Sequence, residues 1–423
     1  MFRKTMQVFL VLVVLCSFGN ASAAYAQDPN GDSVPTAYLP VVVSGVSATE
    51  SAVTTIEISA AEQEAALAYM TRERIASAEA MEMQQATVPT AAEAAAMAAE
   101  AKAAPLGAPQ FAKPGRAALN ADQVAAAAYA ADWAQSALTA EQEAALEAGL
   151  EAEAQAAAAA PDAVDGTSQI YTSYIANWVS AMQTQYPHKW VGRLTFSTPS
   201  GTSYCSATVL GGNNIVTAAH CLYDTPSRNA WYTNRVFTPA YRNGSAPYGS
   251  FAASTCTILT VYVNKSGAYN IASWAPFDIG VCTMGRNSAN QTINTAVGWA
   301  GSAWDYGYTR HVFNMGYPLR NNGGTLLSWA GAYLRLCSAE TFNYSTNVRG
   351  MGCNWGGGIS GGPWFDHRTL ASPTAYGTDG YWPGRVSGYV TSVNSGGFVG
   401  VPNIYGARFT NTNFRPLCDV RGC

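Results

Sequence analysis

The chain has 423 residues with 27 acidic and 23 basic side chains, a formal net charge of −4, and a length that accommodates two or three domains. This balance lacks the basic surplus that holds nucleic acid, so no nucleic-acid partner is expected. After the first residues no stretch is long and apolar enough for a membrane-spanning helix. Residues 1–165 carry 20 acids and 7 bases while 166–423 carry 7 acids and 16 bases, so formal charges of −13 and +9 face each other within one chain. Opposite charges of this size favour association of the two parts.

The chain opens with Arg3 and Lys4, an apolar run from Val8 to Leu15, and small-residue sites at Ala21-Ser22-Ala23 and Ala24-Tyr25-Ala26. Together these read as a secretory signal over residues 1–26, and the product is expected to be secreted. Cys16 lies in the apolar run after bulky residues, so no lipid anchor is expected. Residues 27–58 are mixed, and their VPTAYLPVVV stretch reads as a strand or a tether.

From Ser59 alanine and glutamate dominate. Ser59 with Glu62, Thr90 with Glu93, and Thr139 with Gln142 each fit the capping box that starts a helix. Pro89, Pro105, Pro109 and Pro114 divide the tract into helical blocks. AEQEAAL occurs at 61–67 and again at 140–146, which reads as low complexity. Alanine helices bury little surface and need a partner. Residues 27–165 are therefore expected to form an acidic, α-helical pro-segment that docks on the basic remainder and is later removed; a permanent stalk is the other reading.

Pro161 to Gly166 marks a boundary, and 166–423 forms the second domain. Ile175, Trp178, Val179 and Met182 fall at helical spacing and predict one short amphipathic helix. From Trp190 onward, short runs of Val, Thr, Tyr and Ile alternate with Gly, Asn, Ser and Pro turns, which predicts an antiparallel barrel or sandwich. Eight cysteines lie between Cys205 and Cys423; in an exported domain they imply four disulfides. No Cys or His cluster has metal-ligand spacing, and neither a metal nor another cofactor is expected.

The most informative stretch is GGGISGGPW, Gly356 to Trp364. A glycine run can point two amide N–H groups at one spot beside the Ser360 hydroxyl, as acyl transfer requires. Of the four histidines, His188, His220, His311 and His367, His220 ends an apolar strand-like run directly before Cys221. Asp278 sits among apolar residues in WAPFDIGVCTM, where a carboxylate needs a partner. Asp224, four residues after His220, is the competing acid, in a turn-like context.

These stretches resemble a known family. SYCSATVLGGNNIVTAAHC, PFDIGVCTM and GISGGPW are similar, in this order, to the histidine, aspartate and nucleophile motifs of chymotrypsin-like serine peptidases. Their catalytic positions lie 58 and 82 residues apart. The resemblance covers about residues 186–410 and implies two packed six-stranded antiparallel β-barrels. It implies a His220, Asp278 and Ser360 triad, an oxyanion hole from the Gly358 and Ser360 N–H groups, and a Cys205–Cys221 disulfide. It also places Asn354 at the base of the primary pocket and Ser387, Gly388 and Tyr389 on the strand that pairs with substrate. Asn354 does not supply the acid that selects Lys or Arg, and Trp355 with Tyr389 suggests an apolar pocket; a strict glutamate preference is the other reading, because the domain's positive charge tolerates an acid. The implied product is a monomeric serine endopeptidase acting on polypeptides.

One departure matters. Ile359 stands where the family has the aspartate that receives a new N-terminal amine on activation, so something else must hold the loop. Glycines, packing of Ile359 and the Cys337 and Cys353 region are the candidates. Two other readings stand beside this one. An α/β-hydrolase esterase fits G-x-S-x-G but needs a later acid and then a histidine, and the one histidine after Ser360 is His367, only seven residues on. An inactive peptidase-like binding protein fits the same motifs without catalysis.

Overall fold

The computed structural model describes residues 25–27, 33–35, 52–103, 110–115, 170–177, 180–225, 227–366 and 388–423. The signal reading of residues 1–26, the Thr139 cap, Trp178, Val179 and His367 fall almost entirely outside them. Two compact units are distinguished, Met1–Val42 and Val43–Cys423. The first contains one antiparallel hairpin, β1 (Tyr25–Gln27) with β2 (Ser33–Pro35). Everything below concerns the second.

The expected helix starts are present. In α1 (Ala60–Tyr69), Ser59 Oγ accepts from the Glu62 N–H, and the Glu62 carboxylate accepts from the Ser59 N–H at 2.7 Å. In α3 (Ala91–Ala103), Thr90 and Glu93 make the same reciprocal pair. Such caps contribute about 1 kcal/mol each. A short α2 (Arg72–Ser77) lies between them.

The stretches between these helices are strands, which the helical expectation for this segment did not include: β3 (Val53–Glu57), β4 (Glu79–Ala80), β5 (Gln84–Ala86) and β6 (Gln110–Ala112). Their backbone N–H and C=O groups are satisfied by strands of the following domain. That is the partner which alanine-rich helices could not provide alone. Next comes β7 (Tyr171–Ile175), which takes in Ile175, the first residue of the expected helix, while Met182, its last, lies in a short helix at Ser180–Gln183. β7 pairs antiparallel with Arg335–Ala339 over its whole length.

The first barrel is built from β8 (Val191–Thr198), β9 (Gly201–Leu210), β10 (Asn214–Thr217), β13 (Thr233–Pro239), β14 (Phe251–Leu259) and β15 (Gly280–Met284). A small hairpin, β11 (Tyr223–Asp224) with β12 (Ala230–Trp231), interrupts the series. The order β8–β9–β10–β15–β14–β13 returns to β8, with every pair antiparallel. β13 covers only Phe251 and Ala252 of β14, and β3 fills the remaining edge from Thr255 to Leu259.

After the short β16 (Gly301–Trp304) the second barrel follows. It comprises β17 (His311–Gly316), β18 (Arg335–Ser345), β19 (Val348–Gly352), β20 (Pro363–Asp366), β21 (Tyr389–Phe398) and β22 (Asn403–Arg408). It closes in the order β17–β18–β19–β22–β21–β20, again all antiparallel. Closure gives each barrel strand two neighbours within its barrel, which answers the aggregation hazard of isolated strands. Among the described residues no helix is long and apolar enough to cross a membrane.

The cores are aromatic and aliphatic, with Leu194, Phe196, Val209, Ile215 and Val281 in the first barrel and Val312, Met351, Trp364 and Ile404 in the second. The eight later cysteines pair as Cys205–Cys221, Cys256–Cys282, Cys337–Cys353 and Cys418–Cys423.

His188 supplies a pH prediction. It is 1 % exposed, and burial pulls its pKa down from 6.5 to about 4, against a smaller opposing effect from a hydrogen bond with the Met182 backbone. Between these values the unfolded chain binds the proton and the folded one does not, so stability falls as pH drops from 6.5 toward 4. The full loss is about 3 kcal/mol. Thermal midpoints at pH 7 and pH 5 are expected to differ less in His188→Phe than in the wild type. An equal difference would assign the acid lability elsewhere.

Candidate active site

β10 ends at Thr217, and the chain turns through a short 3₁₀ helix, Ala219–Cys221. The Cys205–Cys221 bridge ties this turn back to β9. His220 therefore leaves a rigid corner, 3 % exposed. Asp278 terminates a second 3₁₀ turn, Ala275–Phe277, just before β15, and is fully buried. Its Oδ1 accepts from the His220 backbone N–H at 2.9 Å, and its Oδ2 lies 2.7 Å from His220 Nδ1. The competing acid, Asp224, lies instead on the β11–β12 hairpin, 3.8 Å from Arg228 Nε.

The carboxylate has a third partner that sequence reasoning missed. Ser395 Oγ donates to Asp278 Oδ2 at 2.6 Å, and Tyr269 Oη lies 2.9 Å from Ser395 Oγ. With its hydrogen directed to Asp278, Ser395 leaves its lone pairs for the tyrosine hydroxyl. A Tyr269, Ser395, Asp278, His220 relay results, and the costly buried charge is satisfied by three donors. An ionised carboxylate only accepts, so Nδ1 carries the imidazole hydrogen. Nε2 of the neutral ring is then left with a lone pair.

Ser360 comes from the loop between β19 and β20. Gly358 and Gly361 adopt φ of +90° and +75°, and a Cβ on Gly361 would stand 2.0 Å from Thr217 Oγ1. Only glycine permits that backbone against the first barrel. β9 of that barrel holds the loop directly. The Ser206 N–H donates to the Ser360 carbonyl at 2.9 Å, and Ser206 Oγ donates to the Gly358 carbonyl at 2.9 Å. From the other side, Asn394 Nδ2 donates to the Ile359 carbonyl at 3.0 Å, and the Gly361 N–H donates to the Asn394 carbonyl. Ile359 itself is fully buried with Trp355, Trp364 and the Cys337–Cys353 bridge. Packing of Ile359 and these two side chains thus hold the loop, and no aspartate stands at this position.

His220 Nε2 and Ser360 Oγ are both buried, and neither has a hydrogen-bond partner among the described residues. A base nitrogen and a hydroxyl, each desolvated and unpaired, are chemically matched for proton transfer.

The other expected residues are more dispersed. Asn354 Oδ1 accepts from the Asn322 N–H at 3.1 Å. Trp355 packs beside Cys353, Ile359 and Ile404. Ser387 lies outside the described residues. Tyr389 begins β21 and Gly388 precedes it: Gly388 lies against Trp190, and the Tyr389 ring makes an edge contact with Phe111. Tyr389 also pairs with Gly301, so it does not join Trp355 in one pocket. The part of β21 that reaches the triad is Asn394–Gly396, about 20 Å further along at the rise of a strand.

A family model described as Trypsin matches residues 179–401. An extracellular metalloprotease of Bacillus subtilis (strain 168) is 24% identical over 180 residues, 41% of this chain and 51% of that protein. The chain thus spans about half the length of the curated relative it matches. Among solved structures, the protease Anisep from Arthrobacter nicotinovorans is 25% identical, with 56% of this chain and 97% of that one covered and a TM-score of 0.43. A thermostable serine protease, AL20, from an extremophilic microorganism is 22% identical, with 56% and 98% covered and a TM-score of 0.42. A Glu endopeptidase is 17% identical, with 62% and 98% covered and a TM-score of 0.43.

Proposed function

The chain belongs to the trypsin family of serine peptidases, and from that premise we propose that it is a secreted endopeptidase, made as a precursor, that cuts polypeptides through His220, Asp278 and Ser360. The observation that carries this reading is the buried pair of unpartnered atoms, Ser360 Oγ and His220 Nε2, behind an Nδ1–H fixed on Asp278.

His220 Nε2 takes the Ser360 proton as Oγ bonds to the substrate carbonyl carbon. The N–H groups of Gly358 and Ser360 receive the developing oxyanion. The tetrahedral adduct collapses, and the imidazolium gives its proton to the leaving amine. Water, deprotonated by the same nitrogen, then releases the acyl group and restores Ser360. Asp278 keeps the ring in the one tautomer able to do this. Substrate backbone pairs with Ser395–Gly397 of β21, in place of Ser387, Gly388 and Tyr389.

The relative's name speaks of a metal. Among the described residues the one grouping of three possible ligands is Cys205, His220 and Cys221. Both sulfurs are joined in a disulfide and offer no thiolate. The donors do not fit a metal, and no step is routed through one. Secretion is favoured by four disulfides, which persist in oxidising surroundings. The pro-segment reading is favoured by the acidic, strand-by-strand docking of residues 53–115.

An organophosphonate serine reagent is expected to label Ser360 in the processed protein, located by peptide mass. A processed sample that takes up no label favours a binding protein without catalysis. N-terminal sequencing of the secreted product is expected to find a start near residue 166; a start near 27 would rule out removal.

A further inference from the structure

The segment between α2 and β5 runs directly over the catalytic loop. The Arg193 guanidinium donates to the Ala78 carbonyl at 3.3 Å. The Met81 N–H donates to the Tyr204 carbonyl, and the Gly358 N–H donates to the Met81 carbonyl, each at 2.8 Å. On one side β4 lies parallel to β9, with Ala80 opposite Tyr204. On the other β5 lies parallel to β21, with Gln84 opposite Gly396. Met83, between them, is 4 % exposed and packs with Cys353, Trp355, Ile359 and Ile404. Its Cε lies so close to Gly397 that a Cβ there would be 2.6 Å away.

Resting on the peptidase reading above, we propose that Glu79–Ala86 is a built-in inhibitor of the cleft, threaded so that Met83 fills the primary pocket while the carbonyl at the oxyanion donor belongs to Met81. Acyl transfer requires one residue to do both, since the pocket exists to bring its occupant's own carbonyl to the nucleophile. Here the two requirements fall on residues two positions apart. The segment takes the binding groups of a substrate without presenting a bond for cleavage. Strand pairing supplies affinity and the Met83 side chain supplies fit, as in other additions of a strand to a sheet. The occupant also describes the pocket: it takes an apolar side chain that lies against Gly397 and joins the cluster of Trp355 and Ile359.

The test uses the full chain. Uncut wild type, uncut Met83→Asp, uncut Met83→Leu and wild type freed of its N-terminal part by limited proteolysis are treated with the phosphonate reagent, and labelling rates are compared. A closed cleft reduces the apparent rate by the fraction of time it is open. Uncut wild type and Met83→Leu are expected to label at least about tenfold more slowly than the freed protein, with Met83→Asp approaching the freed rate. A thermal melt of each variant checks folding. If Met83→Asp unfolds, the cut-against-uncut comparison of wild type decides alone. Equal rates before and after removal overturn the inhibitor and leave the nucleophile standing. No labelling in any sample overturns the peptidase reading and the inhibitor with it.

Discussion

Asp278→Asn is expected to lower kcat by about ten-thousand-fold with little change in KM. The carboxylate receives three donors: the His220 N–H, His220 Nδ1–H and the Ser395 hydroxyl. An asparagine has one oxygen and one NH₂ group at these positions. If its oxygen stays on the His220 N–H, its NH₂ meets two donors at Oδ2. The imidazole then relieves the conflict by moving its hydrogen to Nε2, which no longer accepts from Ser360. Substrate contacts on β21 are untouched, so binding persists and the chemical step fails. Steady-state kinetics on a short peptide amide, beside a thermal melt, would check it. A loss below about tenfold with a normal melt would remove Asp278 from its role as the orienting group, because a wrong tautomer cannot be mild.

How far the sequence led depends on whether a feature is local. GGGISGGPW announces the tight loop that carries Ser360 because the positive φ angles of Gly358 and Gly361 require glycine itself. Asp278 is legible because a carboxylate among apolar residues demands a partner, and it has three. The helix caps at Ser59 and Thr90 are written within four residues. What failed depended on distance along the fold. The sequence has two Ser-Gly dipeptides eight residues apart, at 387–388 and 395–396. Only the path of the barrel brings Ser395 of the second onto Asp278, and nothing local to either dipeptide distinguishes them. Ser206 was invisible for a similar reason: a small hydroxyl in a buried strand shows no sign that it clamps the Gly358 carbonyl of another barrel. Ile175, the first residue of the expected helix, ends β7 instead, because β18, distant in sequence, supplies that strand with its backbone partners. The short strands β3 to β6 exist only through their partners. Two- and three-residue pieces such as β4 and β5 carry no pattern of their own.

Ser360→Ala carries the largest expected effect, a fall in kcat of about 10⁶-fold on the processed protein. His220→Ala should lose a similar amount, and the double variant scarcely more. Oxygen and nitrogen act as one proton-transferring unit, and removing either removes both contributions. What remains comes from the oxyanion donors and substrate positioning, which neither substitution touches. Stability supplies an independent sign. In the uncut chain Ser360 is fully buried, and its Oγ has no hydrogen-bond partner among the described residues, so the folded state bears the cost of desolvating it. Deleting it should leave the melting temperature unchanged or raise it, whereas most buried substitutions lower it. Activity falling while stability holds or rises is what a hydroxyl kept for chemistry predicts. A Ser360→Ala protein that melts several degrees lower would mean that the hydroxyl supports the loop. Retained turnover in that variant would place the nucleophile on another side chain.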